Sequence, residues 1–149
     1  MTFQLPNPST VFGARVAQRL RDERLIWLTT VDTKGTPQPT PMWFLWDEAT
    51  STFLIYSRPA AKRLMHIQQN PRVALNLDGN GKGGDIIVII GQVQVSDDPL
   101  AHLVPAYVEK YREYITIGFG TAEPFAMMYP VPLRVRPTAI RGLRHGIGG

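Results

Sequence analysis

Hydrophobic spacing divides the chain into segments of recognisable type. After Thr10, a residue suited to an N-cap, Phe12, Val16, Ala17 and Leu20 recur at helical intervals, with Arg15, Arg19 and Arg21 around them as a solvated face. Leu25 to Val31 is rich in β-branched and aromatic residues. It runs into Asp32-Thr33-Lys34-Gly35, a turn with glycine where positive φ is cheap, so a hairpin is predicted. The returning strand, Gln38 to Trp46, is entered through Pro37, Pro39 and Pro41. Prolines at alternate strand positions withhold their N–H groups from the same edge, so that edge cannot be fully paired inside a sheet. Met42 to Trp46 then puts large side chains on both faces, which calls for burial on both sides or for a ligand against one of them.

Phe53 to Tyr56 reads as the next strand, ending at Ser57. Pro59 suits the first turn of a helix that carries Ala61, Leu64, Met65 and Ile67 inward and stops at Asn70-Pro71. Arg72 to Leu77 is a strand, and Asp78 to Gly84, with its glycines and with Lys82 at the tip, is a hairpin loop. The strand Asp85 to Val95 contains the apolar run Ile86 to Ile90, which needs cover on both faces; a second subunit can supply one cover. Asp97-Asp98-Pro99 opens a helix bearing Leu100, Leu103, Val104, Tyr107, Val108 and Tyr111, bent near Pro105. Ala122 to Tyr129 is a short helix, and Leu133 to Arg136 alternates as a strand that continues over Thr138 to Leu143. The expected fold is mainly β, with about six antiparallel strands and two or three flanking helices. It forms one domain over residues 1–149, with about 1–9 and 144–149 as disordered or extended tails.

Composition narrows the chemistry. The chain has no cysteine, which removes disulfides, thiolate metal sites and a cysteine nucleophile. His66, His102 and His145 stand far apart, so no metal is assigned, and no serine lies in a nucleophile elbow. No apolar run approaches a membrane span and Met1 to Pro8 has no leader pattern, so a cytoplasmic protein is expected. Sixteen Lys and Arg against twelve Asp and Glu favour anionic partners, but the basic residues are not interleaved with exposed aromatics as nucleic-acid binding requires. With no acid–base pair in evidence, a reactive group would have to be brought by a cofactor.

The stretch from Tyr56 to Arg63 is the candidate for holding one. A strand gives way to a helix there, and Ser57, Arg58, Lys62 and Arg63 set a hydroxyl and three cations beside unpaired N–H groups, which suits a phosphate. The same residues also describe an ordinary Ser-x-Pro helix start followed by solvated cations.

Four pieces in order carry a resemblance to a known family: Thr29-Thr30-Val31-Asp32 with Gly35 and Pro37, then Pro41-Met42-Trp43-Phe44. Tyr56-Ser57 with Ala61-Lys62 and Asn70-Pro71-Arg72-Val73 follows, and Gly91 comes last. From Arg15 to Leu143 the chain resembles the split β-barrel flavin and deazaflavin proteins related to pyridoxamine 5′-phosphate oxidase, and most of all their coenzyme F420-dependent branch. The resemblance implies an oxidoreductase that passes a hydride between a deazaflavin ring and a small unsaturated or oxidised molecule. FMN is the alternative cofactor, and a carrier without its own substrate the alternative role. It implies a homodimer with the cofactor between subunits: phosphate at Ser57, Ala61 and Lys62, ring on Pro41 to Phe44, and Lys82 and Asp85 arriving from the partner. Some relatives place an arginine just before the lysine, where this chain has Ala60-Ala61, and Arg58 or Arg63 would substitute. The basic pattern by which the phosphate oxidases hold FMN is not apparent on the second strand.

Overall fold

The computed structural model describes residues 3–143. In order, they form α1 (Val11–Asp22), β1 (Ile26–Val31), β2 (Pro37–Met42), β3 (Leu45–Asp47), β4 (Thr52–Ser57) and α2 (Lys62–Gln69). There follow β5 (Arg72–Leu77), β6 (Ile86–Val95), a short 3-10 turn (Ala101–Leu103), α3 (Pro105–Phe119), α4 (Ala122–Met128) and β7 (Val131–Leu143). All strand pairs are antiparallel, in a seven-stranded sheet ordered β2-β1-β5-β6-β7-β4-β3. The long β7 bridges the two halves, pairing with β6 along its length and with β4 through its first residues. A bulge opposite Ile90 and Gly91 bends this pair. Gly91 is required there, because a Cβ would stand 2.6 Å from the Arg136 carbonyl oxygen.

Two cores share the sheet. Inside its curl, Leu28, Phe44, Phe53, Ile55, Leu75, Ile89 and Val135 pack with Val16 and Leu20 of α1 and Ile67 of α2. On the outer side of β4, Leu54 and Tyr56 meet Tyr107, Tyr111 and Ile115 of α3 and Phe125 of α4. Strand β4 is therefore buried over consecutive residues Phe53 to Ser57, because each face has its own cover.

Several expectations are corrected. The strand predicted from Gln38 to Trp46 is broken, which raises the strand count from about six to seven. Phe44 uses its backbone outside the ladder: its N–H donates to the Tyr111 hydroxyl at 2.8 Å and its carbonyl accepts from Lys110 Nζ at 2.8 Å. Pro59 is not in a helix. It occupies the second position of a turn closed by Ala61 N–H on Arg58 O, and α2 begins three residues later at Lys62. Met65 is exposed rather than inward. Pro105 starts α3 rather than bending it, and Leu103 is exposed.

Arg19 is buried, not solvated, and its guanidinium donates to the carbonyls of Asp78 and Asp85 and to Glu23. Residues 3–9 lack regular structure, although Leu5 packs on the core; the expectation for 144–149 lies outside the described residues. Thr10 caps α1 as predicted, accepting from Gly13 N–H at 3.0 Å. No helix among the described residues is long and apolar enough to cross a membrane.

Candidate functional site

Strand β2 is an edge strand, and its residues Pro37, Pro39 and Pro41 pair with Val31, Thr29 and Trp27 on one side only. The other side is the unpaired proline edge that the alternation requires. Two cavities adjoin this strand. One, of about 510 Å³, is polar and lies where β1, the turn after it and β2 meet α2. The other, of about 300 Å³, is aromatic and lies where β2 ends against α3 and α4.

Thr30, Gln38 and Thr40 face the polar cavity from the strands, and Lys34, Lys62 and Arg63 bring three cations to it. Arg63 is half-buried, and burial lowers its pKa, yet among the described residues no carboxylate pairs with it. Its Nη1 is held by the Ser57 hydroxyl at 2.9 Å. Ser57 is itself sealed in the structure, so it orients the guanidinium and does not face the cavity directly. Asp32 also lines the cavity, but its carboxylate folds back on its own turn. It accepts from the N–H groups of Lys34 and Thr36, both at 2.9 Å, and from Gln38 at 3.1 Å, and these bonds hold its pKa low. His66 is buried beneath, its Nδ1 2.9 Å from Thr30 Oγ1. The net character is a polar hollow with cationic walls and its acid already satisfied.

The aromatic cavity is built on stacked rings. Trp43 lies on Tyr111 at 4.5 Å and 5° and on Phe125 at 5.1 Å and 21°, and Phe125 lies on Tyr129 at 5.0 Å and 25°. Arg58 covers the far side of Tyr129, 5.1 Å from its centroid. Tyr56 contributes a ring wall, but its hydroxyl donates to Pro99 O at 2.6 Å and burial pushes its pKa up to about 12.

The predicted residues thus divide. Pro41, Met42, Trp43 and Tyr56 border the aromatic cavity, and Lys62 and Arg63 the polar one. Ser57 tethers Arg63, and Ala61 is the residue before α2. Arg58 is drawn to Tyr129, and Phe44 is buried in the inner core. Lys82 and Asp85 belong to the loop at the other end of β1, where Trp27 Nε1 reaches Asp78. Within one chain they are not brought to Lys62. Asp85 is spoken for by Arg15, in a bidentate pair that holds its pKa low.

Lys34, Thr30 and Thr40 escaped sequence reasoning because they fit a turn and an alternating strand. The signal was polar residues at inward strand positions opposite Leu28 and its neighbours. Tyr107, Phe125 and Tyr129 read as helix core, and no sequence signal separates a lining ring from a packed one. A larger cavity, of about 580 Å³, is bordered by Arg134 and Arg136. Arg134 is neutralised there by Asp98 at 2.6 Å and Asp47 at 2.9 Å, which leaves it unsuited to a second anion.

Among solved structures, the chain resembles a conserved hypothetical protein from Mycobacterium tuberculosis (19% identity, 91% of each chain, TM-score 0.68). It also resembles an F420 reductase (23%, 83% of this chain and 94% of that one, TM-score 0.67). A putative pyridoxamine 5′-phosphate oxidase from Listeria innocua is similar as well (21%, 86% and 94%, TM-score 0.62). At these identities the likeness shows the fold, a split β-barrel. No curated protein sequence matches. The model of the pyridoxamine 5′-phosphate oxidase family matches residues 12–143, nearly the whole described chain, and the chain belongs to that family.

Proposed function

We propose that the protein binds reduced coenzyme F420 along β2 and catalyses hydride transfer to an oxidised or unsaturated small organic molecule. One observation carries this: Arg63 is a half-buried cation that Ser57 fixes in place, that pairs with no carboxylate among the described residues, and that shares a polar hollow with Lys62 and Lys34. Burying an unpaired cation costs stability, and an anion in the hollow would offset that cost. A phosphate fits the donor set of two ammoniums, a guanidinium and threonine hydroxyls. The proline edge and the Trp43 ring offer a flat apolar border next to it. The resemblance to an F420 reductase supports the choice of deazaflavin.

When bound, the reduced deazaflavin supplies the hydride, and water supplies the proton that completes reduction of the acceptor. The chain's own part would be to hold the phosphate through Lys62 and Arg63 and to border the ring with Pro41 to Trp43. The unpartnered outer face of β6, with Val88 half-buried and Ile90 at 38% exposure, supports a homodimer whose partner brings Lys82 towards the site. Replacing Lys62 by Met tests the phosphate assignment. Affinity for coenzyme F420, followed by quenching of its fluorescence, should fall about 10- to 100-fold. Unchanged affinity would make Lys62 an ordinary solvated lysine.

A further inference from the structure

Strand β2 stops at Met42, whose partner on β1 is Ile26. Opposed residues of an antiparallel pair alternate between bonded and non-bonded rungs, and Pro37, Pro39 and Pro41 have no N–H to give. The bonded rungs are therefore Thr30 with Gln38, Leu28 with Thr40 and Ile26 with Met42. Continued in the same register, Leu25 would face Trp43, and Arg24 with Phe44 would form the next bonded rung.

That rung is not made directly, because the Tyr111 hydroxyl of α3 stands in it. The hydroxyl accepts from Phe44 N–H at 2.8 Å and has two carbonyls within reach, Arg24 O at 2.8 Å and Phe44 O at 2.9 Å. A phenol has one proton and serves one of them. Lys110 Nζ donates to Phe44 O at 2.8 Å, which frees the phenol proton for Arg24 O. The buried hydroxyl thus replaces the Phe44 N–H to Arg24 O bond of a continued ladder and keeps the two strands apart. The rung it holds open belongs to the candidate site: Leu25 and Trp43 both line the aromatic cavity, together with Pro41 and Met42. Tyr111 does not line that cavity, but its ring stacks on Trp43 at 4.5 Å and 5°. Among the described residues, Tyr111 and Lys110 supply the side-chain hydrogen bonds to the backbone of Pro41 to Phe44.

We propose that Tyr111 is a positioning residue of the cofactor site: its hydroxyl wedges open the end of the β1–β2 ladder and so holds Pro41 to Trp43 where they border the deazaflavin ring. The inference rests on the function proposed above. Tyr111 acts through Trp43 and Phe44 and takes no part in the chemistry. In Tyr111→Phe the ring still stacks on Trp43, but Phe44 N–H and Arg24 O are free to close on each other, which draws Trp43 towards Leu25. Ring binding must then reopen the rung, at a cost no larger than the hydrogen bond that closed it.

Two ligands with one ring test this by fluorescence titration of the intact protein: coenzyme F420, and its deazaflavin carrying the ribityl chain without the phosphate. Tyr111→Phe should weaken both by the same factor, about 3- to 10-fold, the worth of a neutral hydrogen bond, and should move the bound ring's emission towards that of the free ligand. Lys62→Met should weaken the phosphate-bearing ligand alone. Ile115→Ala, a buried residue of the same helix with no polar group to offer Phe44, should lower the melting temperature and leave both affinities unchanged where circular dichroism shows the variants folded. Should Tyr111→Phe not fold, Lys110→Met replaces it: the phenol proton then has two carbonyls to serve, and both ligands should weaken equally, by about 3-fold. Unchanged affinity for the phosphate-free ring in the folded variant, a loss confined to coenzyme F420, or an Ile115→Ala that weakens both ligands as much would each overturn the inference. If the wild type binds neither deazaflavin ligand, the choice of coenzyme F420 fails, and riboflavin and FMN, which differ by the same phosphate, decide the positioning role on the same variants. A protein that binds neither pair would overturn both.

Discussion

Replacing Arg63 by Met separates a binding residue from a structural one, because the two roles predict opposite effects on stability. The substitution keeps the aliphatic stem against α2 and removes a guanidinium that is half-buried, tethered by Ser57 at 2.9 Å and not matched by a carboxylate among the described residues. Ser57 keeps a second partner, its hydroxyl donating to Arg58 O at 3.1 Å, so the buried serine is not orphaned. A structural arginine, such as Arg19 with its two carbonyls and Glu23, would cost about 3 kcal/mol or more to remove, since its buried partners would be left unpaired. Arg63 should cost nothing, and the apoprotein should melt at the same temperature or higher as the desolvated charge disappears. Cofactor binding should suffer instead. A hydrogen bond to a charged group is worth about 1.5–3 kcal/mol, so affinity should drop ~10- to 100-fold. Differential scanning calorimetry of the apoprotein and a fluorescence titration supply both numbers. A lower melting temperature together with unchanged affinity would refute the reasoning, because Arg63 would then be part of the scaffold alone.

The alternation along β6 assigns Ile89 to the inner core and Ile90 to the outer face. Ile90→Glu should therefore yield a folded monomer by sedimentation and Ile89→Glu a chain that does not fold; a dimeric Ile90→Glu would remove this face from the interface. Lys110 is partly buried beside Phe44, and that desolvation pushes its pKa down to about 8 from 10.5. Between those values the unfolded chain binds a proton that the folded chain has released, so stability should rise with pH across that window and be flat just below it. Urea midpoints at about pH 7.5 and about pH 9.5 should differ in the wild type and converge in Lys110→Met. A rise that persists in the variant would trace it to another group.

Local chemistry made part of this fold legible. Thr10 as N-cap, the Asp32 to Gly35 turn and the strand Arg72 to Leu77 depend on neighbours in sequence, and the structure has them where the residues put them. The proline edge was legible for the same reason, since missing N–H groups are a property of the residues themselves. What was lost depended on distant partners. Arg19 looks like any helix arginine until Asp78 and Asp85 bring their carbonyls to it. The break at Phe44 needs Tyr111 and Lys110, more than sixty residues away, and Pro59 suits a turn as well as a helix start. The polar cavity was half legible. Lys62 and Arg63 stood out as cations at an element boundary, whereas Lys34, Thr30 and Thr40 join them only because the β1–β2 hairpin folds over α2.

The choice of cofactor is the central claim, and the two flavin-like candidates differ beyond their common phosphate. FMN ends there, whereas coenzyme F420 continues into a lactyl and oligoglutamate tail with several carboxylates. Lys62 and Lys34 are exposed cations around the hollow that can meet such a tail, and exposed pairs of this kind are screened over about 8–10 Å at physiological salt. The direct measurement is a paired titration of the pure protein, made in a host lacking the deazaflavin, with coenzyme F420 and with FMN at low and at high salt. The protein should purify colourless and bind coenzyme F420 more tightly at low salt, with a preference that narrows as salt rises. A yellow protein carrying stoichiometric FMN, or equal affinity for both cofactors at low salt, would contradict the claim and assign the site to the flavin.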